Sequence, residues 1–157
     1  MKSIMYSQYE MVLDSRKALL EYCATMSQED FLRSSPNFGR GGCIRNMLVH
    51  ICNTYQGWLA NFVEGRTQIE IEPSGVGTLK DCIDYYILTD DLVFAFISKY
   101  ENNPLDIVEA VFDSNRFQST PLKLFTHTIT HEFHHKGQVL SLSRLWGYTP
   151  VDTDILR

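Results

Sequence analysis

The chain lacks the features that would place it in a membrane, in an oxidising compartment or on nucleic acid. No run of about 18 apolar residues occurs among its 157 residues, which excludes a transmembrane helix. Its opening stretch, MKSIMYSQYEMVLDSRK, is amphipathic and acquires charge too early for a signal peptide. Basic residues are in deficit, 14 Lys and Arg against 19 Asp and Glu, for a formal net charge of -5. Phosphate recognition leans on Lys and Arg, so this balance argues against nucleic acid as a partner. Cysteine is scarce, and Cys23, Cys43, Cys52 and Cys82 show no C-x-x-C spacing, which disfavours a thiolate zinc site or a thioredoxin-type motif. Without a signal peptide, reduced thiols in a cytoplasmic protein are expected, packed as small buried hydrophobes. Cys52 lies two residues from His50, but on a helix that spacing puts it well round the other side. No internal repeat and no low-complexity segment is present.

What remains is an ordinary globular composition, 44% hydrophobic and 21% charged, in a length that suits one domain spanning residues 1–157. Four long helical patterns stand out. The first runs from about Ser3 to Thr25, with Met5, Tyr9, Val12, Leu19 and Cys23 near one face. Ser27 followed by Asp30 resembles a short capped turn, and SSPNFGRGG (Ser34 to Gly42) is a loop because Pro and three glycines break any regular element. The second pattern runs from near Cys43 to near Gly65, with Met47, Leu48, Ile51, Tyr55, Trp58, Leu59 and Phe62 on its apolar face and His50 at the edge beside Thr54 and Gly57. After the loop RTQIEIEPSGVG, Thr78 with Asp81 opens a third helix that Asn102-Asn103-Pro104 ends. Between Pro104 and Ser119 the pattern admits a short β-hairpin or an irregular crossover. Thr120-Pro121 starts the last helix, which continues until Gly147. The fold expected is therefore all-α, a four-helix bundle with long crossover connections.

Four of the five histidines fall within nine residues of that last helix: His127, His131, His134 and His135. Leu122, Phe125, Ile129, Phe133 and Leu140 form one stripe, and Leu124, His127, His131, His135, Gln138, Leu142 and Leu145 a second, opposite one. His127, His131 and His135 cannot all reach one ion, because the outer two stand about 12 Å apart along the axis and ligand bonds are about 2 Å. His131 with His135 makes a good pair, and so does His127 with His131; either needs a third imidazole, and His50 is the one remaining. Gln138, three residues after His135, is placed to hydrogen-bond a ligating ring. Lys136 reads as a surface residue, and Gly137 as a point where another backbone comes close. His131-Glu132-Phe133-His134-His135 also satisfies H-E-x-x-H, the zinc-peptidase signature with Glu132 as general base. That pattern is short, and the remaining chain offers neither an extended third-ligand motif nor a substrate-cleft strand.

MLVHICNTYQGWL around His50 and HTITHEFHHKGQVLSLSRLWGYTP near the C-terminus resemble the DinB-like (damage-inducible) family of small bacterial four-helix metalloproteins. Its hallmark is H-x-x-x-H followed by a basic residue, Gly and Gln, then an apolar run and a Gly: here His131, His135, Lys136, Gly137, Gln138 and Gly147. The usual basic residue is Arg, where this chain has Lys136. The resemblance implies that His50, His131 and His135 are metal ligands, that His127 occupies a further histidine position one turn before the first of the helix pair, and that the metal is zinc or nickel. Iron is also compatible with three imidazoles, whereas magnesium and calcium prefer oxygen. It further implies a homodimer and chemistry of the kind seen in thiol-dependent transferases and isomerases that use low-molecular-weight thiols. The leading expectation is thus a metal-dependent enzyme, a thiol S-transferase or a hydrolase, acting on a small molecule. The alternative is a metal-binding or stress-response module without turnover, for which a fourth ligand such as Cys52 or His127 would speak. A third reading is a helical scaffold with satisfied core histidines. Glu132 and His134 are the general-base candidates, although both point off the histidine seam.

Overall fold

Four of the helices open on a hydroxyl that caps them, so their N-termini are set locally. The computed structural model describes residues 3–65, 70–112 and 114–157; the opening Met1-Lys2, the start of the RTQIEIEPSGVG loop at 66–69 and Asp113 lie outside them. Ser3 accepts from the Tyr6 amide at 3.2 Å to begin α1 (Ile4–Cys23), and Ser27 accepts from Asp30 at 3.1 Å to begin the short α2 (Gln28–Leu32). α3 (Ile44–Glu64) ends at Gly65, whose φ of 63° is the left-handed conformation that glycine adopts without a Cβ penalty. α4 (Leu79–Tyr100) begins with a full capping box, the Thr78 hydroxyl accepting from the Asp81 amide while the Asp81 carboxylate accepts from that of Thr78. Thr120 caps α5 (Pro121–Leu145), with Pro121 in the first turn where its missing N–H costs nothing.

The stretch before α5 is a hairpin, not an irregular crossover. β1 (Val108–Phe112) pairs antiparallel with β2 (Asn115–Ser119), with Ala110 opposite Phe117 and Phe112 opposite Asn115. Its two-residue connection uses Ser114 at φ 67°, the positive φ such tight turns require. The hairpin lies on α3, tied by the Asn61 side-chain amide donating to the Val111 carbonyl at 3.0 Å and by Phe117 packing on Trp58.

α3 packs against both α4 and α5, and α1 packs against the same two helices from the other side. α1 and α3 are therefore diagonal in the bundle, as are α4 and α5. That arrangement explains the two long connections: each spans a diagonal, whereas α3 and α4 are neighbours. The expected apolar positions are buried: Met5, Tyr9, Val12, Leu19 and Cys23 from α1, and Met47, Leu48, Ile51, Tyr55, Leu59 and Phe62 from α3. All four cysteines are free and buried, and burial pushes the Cys23 and Cys82 thiols up to about 12, consistent with packing rather than reactivity. No helix among the described residues is long and apolar enough to cross a membrane.

Three expectations for α5 fail. Leu145, expected in the second apolar stripe, is 64% exposed because it sits in the last turn, beyond the packed length of the bundle. A Cβ built on Gly137 would meet nothing within 4 Å, so no backbone approaches there. Lys136 is not a surface residue: it is 1% exposed, its ammonium donating to the Ser15 hydroxyl at 2.7 Å and lying 3.3 Å from the Glu132 carboxylate.

Candidate metal centre

Helical geometry assembles the centre from two directions. His131 and His135 are one turn apart on α5 and present their rings side by side, with centroids 4.5 Å apart. α3, packed alongside, delivers His50 between them, its ring centroid 5.0 Å from that of His131 and 4.7 Å from that of His135. One ligand nitrogen from each lies within 4.8 Å of the other two, and among the described residues these three form the one cluster of His, Cys, Asp or Glu able to hold an ion. His127 is outside it. Its exposed ring packs edge-on against Trp58 at 5.1 Å and stands 5.8 Å from that of His131. Cys52 is buried elsewhere and does not join it.

The ring nitrogens fit a cation better than they fit an empty protein interior. His50 Nε2 and His131 Nδ1 are buried, with no hydrogen-bond partner among the described residues. Leaving such groups unpaired costs roughly 1–3 kcal/mol each, a cost that coordination would remove. His135 Nδ1 meets the Gln138 side-chain oxygen at 2.7 Å. With that oxygen accepting, Nδ1 carries the proton and Nε2 keeps its lone pair for the cluster. The Gln138 nitrogen faces His134 Nε2 at 3.3 Å, which is consistent with the same amide orientation. Burial, the Arg40 guanidinium and the neighbouring imidazoles pull His50 down to about 4. Burial and the adjacent histidines do the same to His131, and burial also lowers His135. All three rings are thus neutral at pH 7, the state a metal requires.

A pH prediction for the metal-free protein follows. Unfolded, the His50 and His131 imidazoles take up protons near the ordinary 6.5, whereas folded they resist until about 4. As pH falls through that window the unfolded chain gains protons that the native chain refuses, so stability declines. Above 6.5 the contribution of these rings is level. Urea midpoints of the metal-free protein at about pH 7.5, 6 and 5 should fall in that order below pH 6.5, and a flat series would contradict it.

Behind the histidines lies a buried charged network that the sequence did not announce. Glu132, next to His131 but turned inward, is fully buried and receives Arg16 in a bidentate pair, Nε to Oε1 at 2.9 Å and Nη2 to Oε2 at 2.8 Å. The Tyr55 hydroxyl donates to Oε2 at 2.7 Å, and Lys136 lies 3.3 Å from Oε1. Arg16 also bonds Asp90, which accepts from the Tyr9 hydroxyl at 2.6 Å, and its guanidinium lies 4.4 Å from the centre of the Tyr86 ring. Burial alone would raise the Glu132 carboxyl, but Arg16, Lys136 and Tyr55 outweigh it and hold the group at about 2. The network joins α1, α3, α4 and α5 immediately beneath the cluster. Glu132 is therefore committed to the interior and does not serve the H-E-x-x-H role.

Of the three histidines, His50 also lines a cleft of about 550 Å³ beside the cluster. Arg40 comes from the loop before α3, Asn53 and Trp58 from α3 itself, and Arg116 and Phe117 from β2. Asn53 holds the 70–71 segment at the rim through paired bonds with the Ile71 backbone, each 2.9 Å.

The family model described as the DinB family matches residues 1–157. The chain belongs to the DinB family. Among curated proteins none matches it. The match spans the whole chain and so includes all three clustered histidines, His50, His131 and His135.

Proposed function

We propose that this DinB-family chain is a metal-dependent enzyme in which His50, His131 and His135 hold one divalent transition ion, zinc or nickel with iron also compatible. The observation that carries the reading is the three-nitrogen cluster, drawn from two helices, with a cleft beside it that His50 lines. Three protein donors leave a tetrahedral or larger coordination sphere incomplete, as catalytic sites do and closed structural sites do not. Such an ion supplies Lewis acidity and lowers the pKa of a water or thiol bound to it.

The chain's own residues do the rest. The Gln138 side chain fixes the His135 tautomer, and α3 and α5 hold the three rings at their separation. The cleft admits a small molecule beside His50. We assign the reaction as S-transfer from a low-molecular-weight thiol: the sulfur gives up its proton, forms a bond to an electrophilic carbon, and the leaving group departs with its electron pair. A hydrolase is the neighbouring possibility in the same site, whereas a module without turnover is disfavoured by the three-donor cluster. The reading includes the homodimer that the resemblance implies.

The test uses zinc- and nickel-loaded protein with cysteine as probe thiol and a chlorodinitrobenzene as electrophile, beside a nitrophenyl ester without thiol. Metal-dependent thioether formation is the expected result. Ester turnover that needs no thiol would move the assignment to hydrolysis, and no turnover in either assay would favour the non-catalytic module.

A further inference from the structure

We infer that the cleft takes a carboxylate-bearing substrate, which Arg40 grips beside the histidine cluster, making Arg40 the residue that selects anionic over neutral ligands. The inference rests on the metal-site reading above and names the substrate class for that site.

The first support is the backbone that carries Arg40. Its φ is 57°, in the left-handed region that a residue with a Cβ adopts at a cost, and Gly41 and Gly42 follow at 73° and 56°. Three consecutive left-handed residues make a tight loop, and it is pinned. Gly42 accepts from the Ser35 amide at 3.0 Å and donates to the Gly39 carbonyl at 2.9 Å, while the Asn46 side chain donates to the Arg40 carbonyl at 2.9 Å. A Cβ on Gly42 would fall 1.8 Å from the Ser35 oxygen, so the loop closes only with glycine there. Strain held this firmly places a specific side chain.

The second support is what the side chain lacks. Arg40 is exposed and lines the same cleft as His50, and its side chain has no carboxylate or hydrogen-bond partner among the described residues. Three neutral imidazoles leave a divalent charge uncompensated, and Arg40 adds a further positive charge in the adjoining cleft. Arg116, across the cleft, adds another, although it also lies 3.8 Å from Glu109. Glu70 at the rim supplies one negative charge, too few for balance. A planar guanidinium fork matches a carboxylate bidentately, and the Trp58 and Phe117 rings, 5.4 Å apart, offer an apolar wall for the body of the ligand.

Zinc-loaded protein, labelled for amide NMR, is titrated with succinate and with its neutral diamide, in wild type, Arg40→Met and Arg40→Lys. Succinate should shift cleft amides and bind at least about tenfold more tightly than the diamide. Arg40→Met should erase that preference with zinc content unchanged, and Arg40→Lys should restore only part of it. Equal binding of the two ligands by wild type, or a preference that survives in Arg40→Met, would overturn the inference. Failure of the metal-site reading looks different: zinc would then be absent from wild type and variants alike.

Discussion

Glu132→Gln is expected to lower the stability of the fold by about 3–5 kcal/mol, the usual cost of breaking a buried ion pair from one side. The substitution keeps the shape and removes the charge. Arg16, 2% exposed, would then keep the partly exposed Asp90 as its carboxylate, and Lys136, 1% exposed, would keep no carboxylate among the described residues. The glutamine keeps one acceptor oxygen, and its NH2 would face donors on the other side, either the Tyr55 hydroxyl and Arg16 Nη2 or Arg16 Nε. Urea denaturation measures the effect as a lower midpoint at unchanged slope. The acid limb supports the same account: the Glu132 contribution is complete above the ordinary 4.5 and is lost as pH falls towards 2, a dependence that Glu132→Gln should abolish. A Glu132→Gln protein as stable as wild type but inactive would instead return Glu132 to the general-base role of the H-E-x-x-H pattern.

Metal loading should have the second-largest effect. An ion that binds the native chain and not the unfolded one stabilises by about 4 kcal/mol at a free concentration a thousandfold above its dissociation constant. The increment depends on joining α3 to α5, which are 81 residues apart between His50 and His131. His50→Ala leaves a His131–His135 pair on one helix, and its stabilisation by the same zinc concentration should fall below about 1 kcal/mol. Thermal or urea unfolding with and without zinc reads this directly. Full retention of the increment in His50→Ala would place the ion elsewhere.

The parts of this architecture that were legible in the sequence are those that depend on helical periodicity. Met5 to Cys23 reads as one buried face, Thr78 and Thr120 as caps, and His131 with His135 as neighbours, because each relation spans a turn or two of one helix. The family pattern then selected His50, His131 and His135 over the His127–His131 pair, and the assembled cluster contains those same three. What escaped depends on distant segments. Arg40 reaches the cleft through a left-handed loop, and Arg116 and Phe117 through the placement of a hairpin on α3. No periodicity encodes either.

Lys136 reads as a surface residue because a lysine beside a ligand histidine is ordinarily solvated. Its true environment is set by Ser15 and Glu132, and Ser15 lies 121 residues away. One signal was available. Arg16 falls four residues after Val12 and three before Leu19, on the face of α1 that its apolar residues mark as core. An arginine there requires a buried acid, and Glu132 lies on the inward side of α5 one turn after Thr128 and seven residues after Phe125, both fully buried.

The measurement that tests the central claim most directly is metal content by elemental mass spectrometry on protein purified without a histidine tag. Wild type should carry about one zinc or nickel per chain. His50→Ala and His131→Ala should lose it, and His127→Ala should keep it. A wild-type chain that remains metal-free after incubation with both metals, or an ion retained in His50→Ala and His131→Ala alike, would contradict the account.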